Sequence, residues 1–194
     1  MKTFIYSLLF SALLFGFHTE PTSYQLDIGH TYIGFDVERF WVGEVSGRFN
    51  EAAAHITMTG EDISTLQVDA TIQSASLDSN NDIRDGHLKG QLWLDAETHP
   101  TIHFKSTNVS QSEEGQYLME GDFTIKGITN QVSFPIEVQG PFKDPTQNIT
   151  LGLKAEFTID RFDYGLQFNK TMDNGELFIG REVKIKIRAL AIEK

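Results

Sequence analysis

From residue 23 onward the dominant hydrophobic period is two, the repeat of a strand with one buried face. Ile33, Phe35 and Val37 alternate with Gly34, Asp36 and Glu38, and Leu66, Val68, Ala70 and Ile72 alternate with Gln67, Asp69, Thr71 and Gln73. Ile102 and Phe104 begin a further run, and Tyr117, Met119, Gly121, Phe123 and Ile125 hold the same phase. Val132, Phe134, Ile136 and Val138 follow, then Leu151, Leu153, Ala155, Phe157 and Ile159. The last run sets Val183, Ile185 and Ile187 against Lys184, Lys186 and Arg188. Turn signals separate the runs: Thr59-Gly60-Glu61-Asp62, Lys126-Gly127, and the stretch 140–148 with its two prolines. "SGRFNEAAAHITM", 46–58, predicts a strand bent at Ala52–Ala54, with Ala54, Ile56 and Met58 in phase.

One segment breaks the period. "NNDIRDGHLKGQLWLD", 80–95, places Asn80 or Asn81 as an N-cap and pairs Ile83 with His87 and Arg84 with Leu88 at i,i+4. It predicts one short helix, weakened by about 1 kcal/mol at each of Gly86 and Gly90.

About eight antiparallel strands make a sheet with long edges, and closing it into a barrel removes them. The apolar residues then face inward and the charged ones outward, the reverse of a transmembrane barrel. The predicted fold is all-β, a closed antiparallel barrel with one short helix. The inward set includes Phe35, Val37, Phe49, Met58, Val68, Phe104, Met119, Phe123, Phe134, Ile136, Leu153, Phe157 and Ile185. It holds no acid, base or amide, so any guest needs a hydrocarbon body. A polar guest would leave its own groups unpaired at about 1–3 kcal/mol each. An eight-stranded barrel can be filled by side chains or hold one ligand, and the pattern alone leaves that choice open.

The N-terminus differs in kind. Met1-Lys2 precedes "TFIYSLLFSALLFGF", an apolar run with no charge until Glu20. It reads as a secretory signal peptide spanning 1–22, cut between Gly16 and Ser23, and the run is short for a membrane span. The domain is 23–194, and the expected location is periplasmic or secreted. The formal net charge of −11 argues against nucleic acid, which needs a basic patch. Cysteine is absent, so neither disulfides nor a cysteine-linked lipid anchor enter.

The ordered motifs resemble the YceI-like family. They are "DIGHTYIGF" (27–35), Gly47-Arg48-Phe49, "RDGHL" (84–88), "PTIHF" (100–104), "GDFTIKGIT" (121–129), "DRFDYG" (160–165) and "GREVKIKI" (180–187). The chain differs at Arg39, where many members carry histidine, and at Trp93 in place of phenylalanine. The resemblance implies a lipocalin-like, elongated barrel. It also implies an exported protein that binds a polyisoprenoid lipid, such as an isoprenoid quinone or a prenyl phosphate, in its lumen as a carrier or buffer.

His30, Arg84, His87 and Arg161 lie inside the matched motifs and are the head-group candidates. Arginine suits phosphate because its fork donates two parallel hydrogen bonds. Each also has a structural reading: Arg84 and Arg161 sit beside acids and can close loops, His87 can pack the helix on the barrel, and His30 can fix the first strand. His99 and His103 share a strand face but lack the convergent spacing of a zinc site, so no metal and no cofactor is assigned. No nucleophile elbow or phosphate-cradling loop is present, which favours binding over turnover. The rival readings are an enzyme acting on an isoprenoid head group at the mouth and a filled structural or stress-related barrel. A transient membrane contact and a homodimer are both compatible with the carrier reading.

Overall fold

A computed structural model of the chain describes residues 20–112 and 115–194. Most of the expected signal segment, residues 1–19, lies outside the described residues. The first three lines of strand are each made of two segments. β1 (Thr22–Leu26) leads to β2 (Tyr32–Arg39) through a 3-10 turn, Ile28–His30. β3 (Gly43–Phe49) leads to β4 (Ala52–Thr59) across Asn50 and Glu51, and β5 (Asp62–Gln73) leads to β6 (Leu77–Asp78) through a second 3-10 turn, Ser74–Ser76. After α1 (Asp82–Lys89) come β7 (Thr101–Gln111), β8 (Tyr117–Ile125), β9 (Ile128–Lys143), β10 (Ile149–Asp160) and β11 (Ile179–Glu193).

Each line pairs antiparallel with the next, and β11 closes the ring by pairing with β1 at one end and β2 at the other. The result is an eight-line meander, as the alternation predicts, with α1 inserted in the long connection from β6 to β7 and a second long connection, 161–178, between β10 and β11. The ring bends where its first lines break. The bend expected at Ala52–Ala54 falls instead at Asn50–Glu51, because the break in the neighbouring line lies beside it. Asn50 N–H donates to the Ser76 carbonyl (3.1 Å), Glu51 N–H to Ser76 Oγ (3.1 Å) and Gln73 N–H to the Glu51 carbonyl (2.9 Å). Polar groups freed by one break are thus satisfied by the other.

The helix is shorter than the segment that suggests it. Asn81 caps it by accepting from Arg84 N–H (3.0 Å), and Gly90 ends it, its N–H returning to the His87 carbonyl (3.1 Å). Residues 91–98 run on as turns.

Strand direction sorts the connections into two ends. The β2–β3 tip, the 79–100 segment, the β8–β9 turn and residues 161–178 share the helix end. The β4–β5 turn, the β9–β10 loop and the last residues of β11 share the other. Backbone pairing of β9 with β10 runs only from Lys143 and Ile149 to Ile136 and Ala155. Beyond it, side chains hold the wall: the Phe134 and Phe157 rings stack at 4.2 Å, and Asn130 Nδ2 donates to the Asp163 carbonyl (3.0 Å). Aromatic rings also lie flat over glycine. A Cβ added at Gly121 would stand 2.6 Å from the Lys105 carbonyl and 2.6 Å from the Phe104 ring, closer than real contacts allow.

Two cations of the β11 outer face pair with carboxylates of the neighbouring strands. Lys184 meets Glu156 (3.6 Å) and Lys186 meets Asp36. The Asp36 carboxylate is buried, which alone would raise its pKa, but the Lys186 ammonium and the Ser46 hydroxyl outweigh burial and hold it below the usual range.

Candidate functional site

The lumen is hollow. It encloses about 190 Å³ that the centre of a water molecule could occupy, within about 1500 Å³ of atom-free space when the open mouth is counted. One water needs about 10–15 Å³ on the first measure, so this is a chamber and not a packing defect. At about 24 cal/mol per Å³, leaving it empty costs the fold roughly 4–5 kcal/mol.

Twelve of the thirteen lumen residues named from the sequence line this space. They are Phe35 and Val37 of β2, Phe49 of β3, Val68 of β5, Phe104 of β7, Met119 and Phe123 of β8, Phe134 and Ile136 of β9, Leu153 and Phe157 of β10, and Ile185 of β11. The exception is Met58. It is fully buried but packs in the core near the far end, opposite Thr22, away from the chamber. Alternation places a side chain on the inner face; it does not say whether neighbours or empty space lie beyond it. Leu153, Ala155 and Phe157 of β10 and Val183, Ile185 and Ile187 of β11 are inward yet only half-buried, because they look onto the free volume.

Small side chains make the room. Ala52, Ala53, Ala54, Ala70, Ala155 and Ala189 all border the chamber. The sequence sets Ala54, Ala70 and Ala155 in phase with the inward runs, but the expected lining takes in only larger residues; Ala70 opposite Phe104 was the available signal. The helix end supplies the cap, also missed: Leu88 of α1, Trp93, Leu94 and Leu166 face the chamber from two separate segments. Trp93 stacks on Phe168 (5.6 Å), which joins the two segments over the mouth.

The polar candidates part company. Arg161 is fully buried at the helix end and borders the chamber. Its Nε donates to the Gly180 carbonyl (2.8 Å), Nη2 to those of Phe168 (2.7 Å) and Ile179 (3.0 Å), and Nη1 to that of Leu166. Its guanidinium lies 5.3 Å from the Trp93 ring centre. Four of five donors are therefore spent on holding the 161–180 segment closed, and one Nη1 N–H remains. Neighbouring Asp160 does not neutralise it by contact, since that carboxylate binds Arg181 Nε (2.8 Å). Burial pushes the Arg161 pKa below its ordinary value, against the pull of Asp160. Burial likewise pushes Tyr164, beside Phe123 (5.8 Å), up to about 12.

The other three candidates do not border the chamber. Arg84 Nε donates to Ser79 Oγ (2.7 Å) and its Nη2 to the Ser79 carbonyl, while Asp85 accepts from Ser79 N–H (3.0 Å). The pair stitches α1 to the end of β6. His87 is exposed, not packed against the barrel; Leu88 takes that position. His30 has 75% of its side chain exposed and bonds Asp27 (2.8 Å) in the turn between β1 and β2. That turn is held at Leu190 of β11, where Asp27 N–H donates to its carbonyl (2.8 Å), whereas Arg161 is held at Gly180. Ten residues of strand, about 33 Å, separate the two, so one head group cannot use both.

His99 and His103 do not share a strand face as expected, because β7 begins only at Thr101: His103 bonds Asp69 (2.7 Å) on the outer face, while His99 lies against Gly127 at the helix end. Among the described residues no three His, Cys, Asp or Glu converge for a metal ion.

An eight-line meander, closed on itself, capped by one helix and hollow, matches known proteins over nearly its whole described length. The model of the YceI-like domain matches residues 24–191. The chain belongs to the YceI-like family. Among the chain's relatives, the UPF0312 protein of Staphylococcus aureus strain MW2 is 32% identical over 169 residues, covering 87% of this chain and 96% of the relative. Burkholderia cenocepacia BcnA shares the fold at a TM-score of 0.74 and 21% identity, covering 85% of this chain and 98% of that one. A polyisoprenoid binding domain from Saccharophagus degradans, implicated in plant cell wall breakdown, shares it at 0.68 and 13% identity, covering 89% and 99%.

Proposed function

We propose that this protein binds a polyisoprenoid lipid, an isoprenoid quinone or prenyl phosphate, in the lumen and carries or buffers it outside the cytoplasm. The observation that carries the reading is a chamber with a hydrocarbon wall, kept open at a cost of roughly 4–5 kcal/mol. An apolar chamber of this kind recovers that cost when an apolar guest fills it. The polyisoprenoid binding domain of Saccharophagus degradans, alike in fold, supports an isoprenoid as the guest. Each CH₂ taken from water contributes about 0.8 kcal/mol, so affinity comes readily from the tail. Ordering a flexible tail opposes that gain.

Arg161 is the residue we assign to the head. It is a buried cation without a carboxylate in contact, bordering the lumen at the capped end. A quinone carbonyl or a phosphate oxygen accepting its remaining N–H would complete its donor set. Binding, not turnover, is the activity, and the apolar N-terminal run supports export to the periplasm or medium.

The test is solvent extraction of the purified protein followed by mass spectrometry, with titration of an added isoprenoid quinone into delipidated protein. Recovery of an isoprenoid, or saturable quinone binding that raises the melting temperature, is expected. Repeated recovery of none, with no saturable binding, would overturn the reading.

A further inference from the structure

The large apolar side chains that water still touches are not scattered. Among the described residues four exceed one-half exposure: Trp41 (66%) and Val42 (91%) at the β2–β3 tip, Ile83 (76%) on α1 and Leu92 (70%) just after it. All four belong to the helix end, as do the less exposed Phe40 and Ile128. The opposite end offers only Phe142, and Ile28 lies in the turn between β1 and β2. Both stations stand at the helix end: β3 runs from its pairing with β6 at Arg48 and Phe49 up to the tip, and β6 leads into α1. They stand at the end of the barrel where Leu88, Trp93, Leu94 and Leu166 face the chamber.

The tip is built to hold its side chains outward. Phe40 and Trp41 both have positive φ, 54° and 70°, a region bulky residues rarely adopt. Asn-Gly would make such a turn without strain. Phe40 is anchored behind it, its N–H donating to the Phe178 carbonyl (3.1 Å) and its ring meeting that of Phe178 edge-on at 4.2 Å. Strain maintained at an exposed aromatic site is a mark of function.

We infer that the helix end docks on a lipid bilayer, with Trp41, Val42, Ile83 and Leu92 entering the boundary between head groups and acyl chains. The occupant follows from the proposed function, on which this inference rests. A prenyl tail resides in a bilayer, and passage through water would expose every CH₂. The mouth therefore meets lipid directly, and tryptophan suits that boundary, having an apolar body and one polar N–H. With a formal net charge of −11 the protein is repelled by anionic surfaces, so the preferred surface is neutral. Binding then comes from buried apolar area and not from charge.

The experiment is co-sedimentation of the full protein with phosphatidylcholine vesicles, alongside quenching of tryptophan emission by brominated lipid. Wild type is expected to pellet and to be quenched. Trp41→Ser/Val42→Ser is expected to need about tenfold more lipid, and Ile83→Ser/Leu92→Ser gives a second variant at the other station. Replacing part of the phosphatidylcholine by phosphatidylglycerol is expected to weaken binding at low salt. Wild type left in the supernatant, both variants pelleting as wild type does, or a homodimer abolished by either variant without vesicle binding overturns the inference. Extraction of the same preparations separates the two claims. Vesicle binding with neither a recovered isoprenoid nor saturable quinone binding leaves the docking face and removes the lumen reading; a recovered isoprenoid without vesicle binding does the reverse.

Discussion

Filling the chamber from its wall distinguishes a hollow barrel from a packed one by the sign of a stability change. Ala155 lies on β10 opposite Ile136 and Ile187, in phase with Leu153 and Phe157, and borders the free space. Ala155→Leu adds three carbons. Where they enter empty volume they gain about 0.8 kcal/mol each, roughly 2.4 kcal/mol in all. In a close-packed core the same change costs about 1–3 kcal/mol. The two outcomes differ by about 3–5 kcal/mol, well beyond the error of a urea titration. For a chain of this size about 2–4 °C accompany each kcal/mol, so delipidated Ala155→Leu is expected to melt about 5–10 °C higher. The urea midpoint should rise with an unchanged slope, which assigns the shift to stability. The same leucine occupies volume the guest needs, so affinity for an added isoprenoid quinone should fall while stability rises. A delipidated variant that loses 1 kcal/mol or more would show the lumen to be filled, and the carrier reading would fall with it.

Three further outcomes are expected. Arg161→Met strips the donors from one buried and three half-buried carbonyls and should lower stability by about 2–5 kcal/mol; Arg161→Lys, with three donors on one point, should restore only part, and a urea midpoint near wild type for either would refute the clamp. Asp36 has a folded pKa below its unfolded value of about 3.9, so its contribution is complete above that value and lost as pH falls through the lower one. Asp36→Asn should therefore be less stable than wild type at neutral pH and indistinguishable from it in strong acid; an equal difference at both pH values would contradict the assignment. Gly121→Ala forces a Cβ against the Lys105 carbonyl and the Phe104 ring and should cost about 1–3 kcal/mol by thermal melting, whereas Gly86→Ala, with open space around it in α1, should gain about 1 kcal/mol.

The alternation of apolar and charged residues along the chain was enough to specify strand phase, the inner face and a closed meander. These follow from a side-chain period of two and from the cost of open sheet edges. Phe35, Phe104, Phe123 and Phe157 face the lumen because local sequence sets their parity. The motifs around Asn81 and Gly90 likewise marked one short helix, though its end at Lys89 needed the Gly90 cap to be seen. Whether the inside was full was not legible, because volume is a property of the closed ring and no segment reports it. Alanines on β4, β5, β10 and β11 combine across the lumen only after closure. The polar residues divided for the same reason. His30, Arg84, His87 and Arg161 sit in equally suggestive motifs, yet Arg161 alone borders the chamber, and its donors go to carbonyls as far along the chain as Gly180. Sequence proximity decides which backbone a side chain can cap. Only the tertiary fold decides which end of the barrel it reaches, and thus whether a lipid head could meet it.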